Sequence, residues 1–397
     1  MMNGWRKKML GEICGFVRGP FGGSLKKSVF VADGFAVYEQ QHAIYNQFED
    51  IRYFIDNAKF KEMRRFELRP NDLIMSCSGT MGRVAIVPDN IRRGIINQAL
   101  LKLTPSEAVS PEFLKYWMDS SDFQESLKEQ SGGAAIQNVA SVGILKHIQI
   151  SLPSLPEQQR IVGILDEAFE GIATAKANAE KNLHNARAFF ESHLQSVFTQ
   201  GGERWVETTL GKAYDVRDGT HDSPKYHATG YPLVTSKNLK REGLSFDDVK
   251  LISQQDYNKI NERSAVHKGD VLFAMIGTIG NPTLVTVEPT FAIKNVALFK
   301  IPNGQSGAFL KHYLDSGWVI SKMMNDAKGT TQKFVGLGYL RSFPINVPPL
   351  STQLEIVARL DELSEETQDL ESIYQQKLAA LDELKKSLLH QAFSGAL

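Results

Sequence analysis

Hydrophobic positions follow a short spacing in two stretches of the chain and a helical spacing in the segment after each of them. In both stretches, short apolar runs are interrupted by Gly, Asn, Asp and Pro, which is typical of strands joined by loops. A single shorter helix is predicted near residues 111–129 and another near 308–327. The clearest predicted strands are 73–75, 83–87, 100–103, 271–275 and 284–287.

Two long helices are predicted, from about residue 156 to 199 and from about 352 to 393. Pro156 suits a first helical turn, and Ser351 is the predicted N-cap of the second helix. Gly201 and Gly395 provide the stops. The first helix is rich in alanine, whereas the second has a stripe close to a heptad pattern. The stripe residues are Ile161, Leu165, Ala168, Ile172, Ala175, Ala179, Leu183, Ala186, Phe190 and Leu194 in the first helix, and Leu360, Leu363, Leu370, Tyr374, Leu381, Leu384 and Leu388 in the second.

Neither long helix can bury its apolar stripe alone. We therefore expect the two helices to pack against each other, antiparallel, because residues 201–350 lie between them in the chain. At about 1.5 Å per residue each helix is roughly 65 Å long, so the pair would act as a spacer of fixed length. The alternative is that each helix folds back onto its own half.

The chain repeats itself with a period of about 195–200 residues. The strand-and-turn frame and the starts of the long helices recur, whereas the segments 12–70 and 212–268 differ. A shared frame that carries different inserts suits two halves that perform one task on different targets; the alternative is an old duplication that has drifted. The clearest matches are Trp5 with Trp205, Gly11 with Gly211, Asp72 with Asp270, Gly79 with Gly277, Gly82 with Gly280, Asn97 with Asn295, Lys102 with Lys300, Gln158 with Gln353, Asp166 with Asp361, Leu194 with Leu389 and Phe198 with Phe393.

Charge follows the same division. The whole chain is neutral, with 45 basic and 45 acidic side chains. Residues 1–150 carry 19 basic and 16 acidic side chains, and residues 201–350 carry 18 and 14, whereas 151–200 carry 4 and 6 and 351–397 carry 4 and 9. The strand-rich halves are thus slightly basic, which weakly favours a phosphate partner. The acidic helices favour solvent or a protein partner.

Several classes of protein are disfavoured. No apolar run reaches the roughly 18 residues of a membrane span, so we expect a cytoplasmic protein. Cys14 and Cys77 have no metal-ligand spacing, and we expect reduced thiols. No phosphate loop is present. The segment Phe334–Gly338 and the triplet Asn281–Thr283 resemble fragments of adenosylmethionine-binding and adenine-methylating loops, but neither is complete.

Glycine-rich loops with basic and amide side chains occur in both halves. Glycine lets a backbone approach a phosphate, lysine neutralises it, and glutamine can bond to base edges. Hydroxyl groups beside Gly79 and Gly277 suit phosphate clamps. The candidate DNA-binding residues are Arg18, Phe21, Gly22, Ser24, Lys26, Lys27, Gln40, Gln41, His42, Ser78, Thr80, Arg83 and Gln137 in the first half, and Arg217, Thr220, His221, Asp222, Ser223, Lys225, Tyr226, Thr235, Ser236, Lys237, Asn238, Thr278, Thr331, Gln332 and Lys333 in the second.

Over nearly its whole length the chain resembles the specificity subunit of type I restriction–modification systems. The phrase Arg217–Tyr226 is similar to the opening loop of a target recognition domain, and Gly19–Gly23 with Lys26 is similar to another such opening. Residues 148–159 and 343–353 resemble the approaches to the family's helices. The first half departs from the family pattern, because Gly133-Ala134-Ala135-Ile136-Gln137 replaces a Gly-Thr-Thr-Gln form.

The resemblance implies a non-catalytic α+β protein: two mixed α/β target recognition domains separated by a pair of long antiparallel helices, a coiled-coil-like spacer. We place target recognition domain 1 at 1–152, helix 1 at 153–202, domain 2 at 203–347 and helix 2 at 348–397. Each domain would recognise part of a bipartite double-stranded DNA sequence through the major groove. The implied partners are two methyltransferase subunits and two restriction–translocase subunits. These partners, and not this chain, would bind adenosylmethionine, ATP and magnesium.

Three alternatives are open. The chain could serve a methylation-only or phage-exclusion system with the same architecture. It could be a protein-assembly scaffold that does not touch DNA, or a cryptic methyltransferase.

Overall fold

The computed structural model describes residues 4–129, 141–240, 242–329 and 332–397. The chain divides into two compact units. Unit 1 comprises Met1–Ala179 and Gln376–Leu397, and unit 2 comprises Glu180–Gln375. Both units combine strands with helices, which confirms the α+β class. The domain boundaries at residues 152, 202 and 347 stay a prediction.

Unit 1 is built from short strands, short helices and parts of two long helices. Its strands are β1 (Arg6–Met9), β2 (Cys14–Arg18), β3 (Phe30–Val31), β4 (Phe35–Tyr38), β5 (Phe54–Ile55), β6 (Leu73–Ser76), β7 (Val84–Ile86), β8 (Gly94–Ile96), β9 (Leu100–Pro105) and β10 (Gln149–Leu152). Its helices are α1 (Leu10–Ile13), α2 (Gln40–Tyr45), α3 (Asn57–Glu62), α4 (Pro111–Asp119), α5 (Ser121–Glu129), α6 (Val142–Leu145) and the first part of α7 (Leu155–Gln200).

Unit 2 repeats this inventory. Its strands are β11 (Val206–Thr209), β12 (Asp215–Asp218), β13 (Tyr231–Val234), β14 (Leu239–Lys240), β15 (Gly243–Leu244), β16 (Lys250–Ile252), β17 (Val271–Ala274), β18 (Gly280–Leu284), β19 (Ala292–Ile293), β20 (Val296–Lys300) and β21 (Pro344–Val347). Its helices are α8 (Leu210–Ala213), α9 (Gln254–Ser264), α10 (Gly307–Asp315), α11 (Gly317–Asp326), α12 (Leu337–Ser342) and α13 (Leu350–Ser394), whose last part belongs to unit 1.

The two units share one sheet topology. The main sheet has the order β2-β9-β6-β7 in unit 1 and β12-β20-β17-β18 in unit 2, and its neighbours are antiparallel. A separate strand pair joins each unit's start to its end, β1 with β10 and β11 with β21. The repeat found in the sequence is therefore a repeat of fold.

The topology also repeats where the sequences differ. In unit 1, β4 pairs with β5 antiparallel and with β8 parallel. In unit 2, β13 pairs with β16 antiparallel and with β19 parallel. At the start of each central strand, a glycine passes close to a carbonyl: a Cβ on Gly34 would lie 2.4 Å from the Ile55 oxygen, and one on Gly230 would lie 2.2 Å from the Ile252 oxygen. In each unit, strands of the divergent insert thus pair with one strand from outside the insert and form a second sheet.

Four predictions need correction: two helices, one strand and one N-cap. Each shorter helix is two helices, because Ser120 and Ser316 adopt extended backbone with ψ of 153° and 135°. The strand expected at 284–287 is β18, which ends at Leu284, where its pairing with Val271 stops. Ser351 is not an N-cap: α13 begins at Leu350, so Ser351 lies inside the first turn.

The ends of the long helices agree with prediction. Helix α7 ends at Gln200, before Gly201 with φ of +61°, and α13 ends at Ser394, before Gly395 with φ of +77°. These backbone angles favour glycine.

In unit 1, the first part of α7 and the last part of α13 pack antiparallel into one core. Ile161 and Leu165 of α7 and Leu389 of α13 belong to this core, together with the main sheet and α4. Phe393 lies edge-on to Phe113, with ring centroids 5.3 Å apart.

Unit 2 has the same arrangement, except that the last part of α7 and the first part of α13 form the pair. Here Leu194 and Phe198 come from the last part of α7, and Leu360 comes from the first part of α13. Phe198 lies edge-on to Phe309, with ring centroids 5.4 Å apart. The antiparallel pairing predicted for the long helices is confirmed within each unit.

A buried glutamine fastens each long helix to its unit. Gln158 accepts a hydrogen bond from Ser110 N (2.9 Å) and donates to the carbonyls of Ala108 and Pro153 (both 3.0 Å). Gln353 accepts from Ser306 N (2.8 Å) and donates to Pro348 O (2.8 Å). Both side chains are fully buried. The two glutamines therefore recur in the sequence because each holds its long helix against its own unit.

Other recurring residues are also structural. Lys102 Nζ donates to Glu67 O (2.7 Å), and Lys300 Nζ lies 2.6 Å from the Asp270 carboxylate. Both lysines are mostly buried. Cys14 and Cys77 are buried, and burial raises the pKa of each thiol to about 12. Within the described ranges, no helix has the length and apolar character needed to cross a membrane.

Candidate functional site

The opening loop of each unit leaves the main sheet at a tight backbone contact. A Cβ on Gly19 would lie 1.8 Å from the Asn97 carbonyl oxygen, and one on Gly219 would lie 2.3 Å from the Ile293 carbonyl oxygen. Gly19 N donates to Leu100 O, and Gly219 N donates to Val296 O. Only glycine fits at either place, so both opening loops start at a glycine that packs against backbone.

In unit 1 the opening loop presents an aromatic ring and two cations. Phe21 is 93% exposed, although apolar side chains of this size usually pack against something. Lys26 and Lys27 are exposed, and Ser24 N donates to Phe21 O (2.8 Å) within the turn Gly22–Ser24. Arg18, at the end of β2, is half-buried. The loop can therefore contact a backbone phosphate and stack on a base.

The short helix α2 orders the next predicted group. His42 is fully buried, with Nδ1 2.9 Å from Glu39 N and Nε2 3.1 Å from Asp50 O. Gln41 Nε2 also donates to Asp50 O (3.3 Å). Gln40 Oε1 accepts from the Ser78 hydroxyl (3.2 Å). His42 therefore holds the helix, and Gln40 is the amide placed beside the glycine–threonine loop.

Unit 2 builds the equivalent turn with other residues. Asn238 Oδ1 accepts from Thr235 N (2.9 Å), and Asn238 Nδ2 donates to Ser245 O (3.1 Å). Asn238 is 5% exposed, so its amide holds the turn as His42 does in unit 1. Ser236 and Lys237 then occupy the places of Gln40 and Gln41, which gives the second unit a hydroxyl and a cation there.

The glycine–threonine loop of each unit connects two neighbouring strands of the main sheet, β6 to β7 in unit 1 and β17 to β18 in unit 2. Gly79 and Gly82 have φ of +64° and +78°, and Gly277 and Gly280 have +77° and +129°. Thr80, Arg83 and Thr278 are exposed. Each loop meets an amide: a Cβ on Gly79 would lie 3.9 Å from Gln40 Nε2, and one on Gly277 would lie 3.0 Å from Gln332 Nε2.

The structure thus brings together some predicted residues. Gln40, Ser78 and Thr80 form one cluster in unit 1, and Thr278, Gln332 and Lys333 form another in unit 2, where Gly277 N donates to Lys333 O (2.9 Å). Gln137 and Thr331 lie outside the described residues.

In unit 2 a carboxylate organises the opening loop. Asp218 lies 2.8 Å from His221 Nε2 and 2.6 Å from Arg263 Nη2. His221 Nδ1 is 2.9 Å from Asn295 Oδ1. The bonds to Asn295 and Asp218 raise the pKa of His221 above its usual value, because both oxygens favour a protonated ring.

Some of the remaining side chains of this loop form hydrogen bonds within the protein, and others are exposed to solvent. Thr220 Oγ1 accepts from Asp222 N (3.1 Å), and Ser223 Oγ accepts from Lys294 Nζ (2.6 Å). Arg217 bonds to Asp215 and to Arg263 O. Lys225 and Tyr226 are exposed. Lys225 is therefore the loop cation best placed to meet a phosphate.

The loop borders a cavity of about 450 Å³ whose other wall is α9. Lys259 and Arg263 project from that helix into the lining, and Asp256 lies beside them. Neither cation was predicted, although a Lys and an Arg four residues apart share a helix face, which was a usable signal. Lys294 was also missed, because it lies in the shared frame and not in a loop.

Comparison with known proteins explains the duplicated architecture. A family model described as the type I restriction modification DNA specificity domain matches residues 2–183 and 203–380. The chain belongs to this family.

Among its relatives is the type I restriction enzyme EcoKI specificity subunit of Escherichia coli (strain K12), 22% identical over 318 residues, which cover 74% of this chain and 67% of the relative. The crystal structure of the HsdS subunit from Thermoanaerobacter tengcongensis aligns over 100% of this chain and 98% of its own, with 19% identity and a TM-score of 0.66. A chain from work on complex assembly and conformational transition of the type I R–M system aligns over 100% and 99%, with 19% identity and a TM-score of 0.79.

In a specificity subunit, the incomplete enzyme-like motifs have structural explanations. Phe334 bridges Lys328 and Ile276, Val335 is buried, and Gly336 precedes α12. None of the described residues just before it, 327–329 and 332–333, lies in a buried strand, such as the one that precedes a nucleotide-binding glycine loop. Asn281 lies in β18 and donates from Nδ2 to Leu239 O (3.1 Å). Among the described residues, no cluster of three or more His, Cys, Asp and Glu side chains is arranged to hold a metal ion.

Proposed function

We propose that this chain directs a type I restriction–modification complex to a bipartite double-stranded DNA sequence, with unit 1 recognising one part and unit 2 the other. The observation that supports this most is the contrast within the repeat. The main-sheet topology, the tight glycine contacts and the buried glutamines recur in both units, whereas the exposed side chains beside them differ. Two units with the same fold and different exposed side chains are suited to bind two different DNA sequences.

Within each unit we assign two kinds of contact. Lys26, Lys27 and Lys225 are exposed cations on the opening loops and would bond to phosphates, which orient the protein without selecting sequence. Gln40 in unit 1, and Ser236 and Lys237 in unit 2, would face base edges, where amide and hydroxyl groups distinguish base pairs. Thr80, Arg83, Thr278, Gln332 and Lys333 would lie between these groups. His42 and Asn238 support the site and do not contact DNA.

The chain would be non-catalytic. Adenosylmethionine, ATP and magnesium would be bound by two methyltransferase and two restriction subunits, and the long helices would carry the surfaces that dock them. The acidic balance of 351–397, with 9 acidic and 4 basic side chains, suits a protein surface better than a DNA surface.

Selection from a pool of randomised duplexes tests the proposal. The full chain is mixed with its methylating partner, and the bound duplexes are sequenced. Enrichment of two short sequences at one constant separation is expected. A pool that shows no enrichment at low salt would favour a protein scaffold that does not recognise DNA sequence.

A further inference from the structure

The two long helices occupy equivalent places in the repeat but carry opposite charges at the positions where they meet. In unit 1, Lys176 Nζ of α7 lies 2.6 Å from Asp382 Oδ1 of α13. In unit 2, Arg187 Nη2 of α7 lies 2.9 Å from Glu371 Oε2 of α13. With the repeat offset of 195 residues, Lys176 is equivalent to Glu371, and Arg187 is equivalent to Asp382. Both equivalent pairs have reversed their sign.

The helices also differ in side-chain size at equivalent stripe positions. Where α7 has alanine, α13 has leucine or tyrosine at the same offset. Ala179 is 1% exposed, and its equivalent Tyr374 is partly buried. Leu370 is 43% exposed, so its size matters least. The equivalent positions are Ala168 with Leu363, Ala175 with Leu370, Ala179 with Tyr374 and Ala186 with Leu381.

These differences decide which helices can pair. In an antiparallel pair of two α7 helices from different copies, Lys176 would face Arg187 of the second copy, and alanines would face alanines. In such a pair of α13 helices, Glu371 would face Asp382 of the second copy, and large side chains would meet large side chains. Like charges repel, mismatched sizes leave cavities or overlaps, and both effects oppose assembly.

We propose that α7 and α13 carry a pairing specificity: each accepts the other and rejects a second copy of itself. A duplicated protein whose halves share a fold is otherwise prone to pair like with like between two chains. The reversed charges and the size differences would prevent that and keep the two unlike units within one subunit. The proposal concerns helix pairing and does not depend on DNA recognition.

Charge exchange in the full chain tests the proposal without changing net charge. The variant Lys176→Glu/Glu371→Lys makes each helix complementary to itself, because position 176 would then face Arg187 of a second copy, and position 371 would face Asp382. The same variant opposes the pairing of α7 with α13 in both units. The control Lys176→Glu/Arg187→Glu/Glu371→Lys/Asp382→Lys reverses every charge, so it restores the α7–α13 pairs and still opposes like pairing.

Sedimentation equilibrium over a range of concentrations gives the readout, with urea unfolding in parallel. Each of the two altered ion pairs has one exposed and one partly buried side chain. Together they should change an association constant by about tenfold, so the exchange variant should dimerise about tenfold more strongly than the wild type and unfold at lower urea. The fully reversed control should resemble the wild type in both measurements. An exchange variant that fails to fold while the reversed control folds also supports the proposal. The same mass and the same urea midpoint for all three proteins would overturn it.

Discussion

Lys225 shows how a single exposed side chain should contribute affinity without sequence preference. Lys225→Ala removes one cation from the opening loop of unit 2, and each lost phosphate contact reduces the slope of log K against log salt by about 0.9. Titrations of matched and unrelated duplexes at several salt concentrations measure the slope. Lys181→Ala, an exposed lysine on α7, is the control and should leave the slope unchanged. An unchanged slope for Lys225→Ala would show that Lys225 does not contact a DNA phosphate.

Gln40 should instead affect sequence preference. Its Oε1 accepts from Ser78, so its amide has a fixed place beside the glycine–threonine loop. Gln40→Ala should cost about 1–3 kcal/mol on the preferred duplex and relax preference at one position in the part recognised by unit 1. Competition binding against single-base variants of the duplex measures this. An equal loss on unrelated duplexes would assign Gln40 to the phosphate backbone.

His312 gives unit 2 a dependence on pH that unit 1 lacks at the equivalent place. Burial lowers the pKa of His312, although its Nε2 lies 2.7 Å from Asp361 Oδ1. In unit 1 the Tyr116 hydroxyl donates to Asp166 instead. The unfolded chain therefore binds a proton at His312 more readily than the folded chain does, so stability is complete above a pH of about 6.5 and falls as the pH drops below it.

The substitution His312→Gln tests this dependence. The amide can still donate to Asp361 but does not titrate, so the loss of stability of unit 2 between pH 7.5 and 5.5 should become smaller. Hydrogen exchange of amides in unit 2 follows it over that range, with unit 1 as the internal control. A variant with the same acid loss as the wild type would assign the effect to other groups.

At the scale of the elements, Gln158 links the start of α7 to the rest of unit 1. Gln158→Ala leaves Ser110 N and the carbonyls of Ala108 and Pro153 without their partner. Pro153 is buried, and an unsatisfied buried group costs about 1–3 kcal/mol. We expect a loss of about 3 kcal/mol, measured by urea unfolding. Gln159→Ala, at the exposed neighbour, should change stability by less than about 0.5 kcal/mol. A loss below 1 kcal/mol for Gln158→Ala would mean that water replaces the amide.

The elements also show what the sequence could predict. The long helices and the strands β6, β7, β9 and β17 have strong local patterns, and they were predicted to within a few residues. The second sheet was not predicted, because β5 and β19 have two residues each and pair with strands far away in the chain. The breaks at Ser120 and Ser316 were missed because the apolar spacing continues across them.

Some residues of the candidate site could be predicted from the sequence, and others could be found only from the fold. Exposed cations such as Lys26 and Lys225 could be recognised from composition and glycine content. His42 and Asn238 are buried and hold turns, which the sequence did not indicate, because a polar side chain that holds a turn looks the same in sequence as one that faces solvent. Lys259 and Arg263 could not be assigned to the site from the sequence, because only the fold shows that α9 lies beside the opening loop.

For the whole molecule, the important feature is the duplication of one fold into two units that carry different inserts. Each unit completes its core with parts of both long helices. Unit 1 therefore consists of two segments of the chain, and unit 2 is the continuous segment between them. A protein built in this way can change the exposed inserts of one unit while the frame of both is kept. We therefore expect the two recognised DNA sequences to be independent of each other.

Methylation mapping of an insert exchange tests this central claim most directly. Residues 12–70 are replaced by the equivalent segment of another family member, and the chain is expressed with its methylating partner in cells whose DNA is then sequenced by a methylation-sensitive method. We predict a bipartite methylated sequence in which one part changes while the other part and the separation stay the same. A change in both parts, or a continuous target with no gap, would contradict the account.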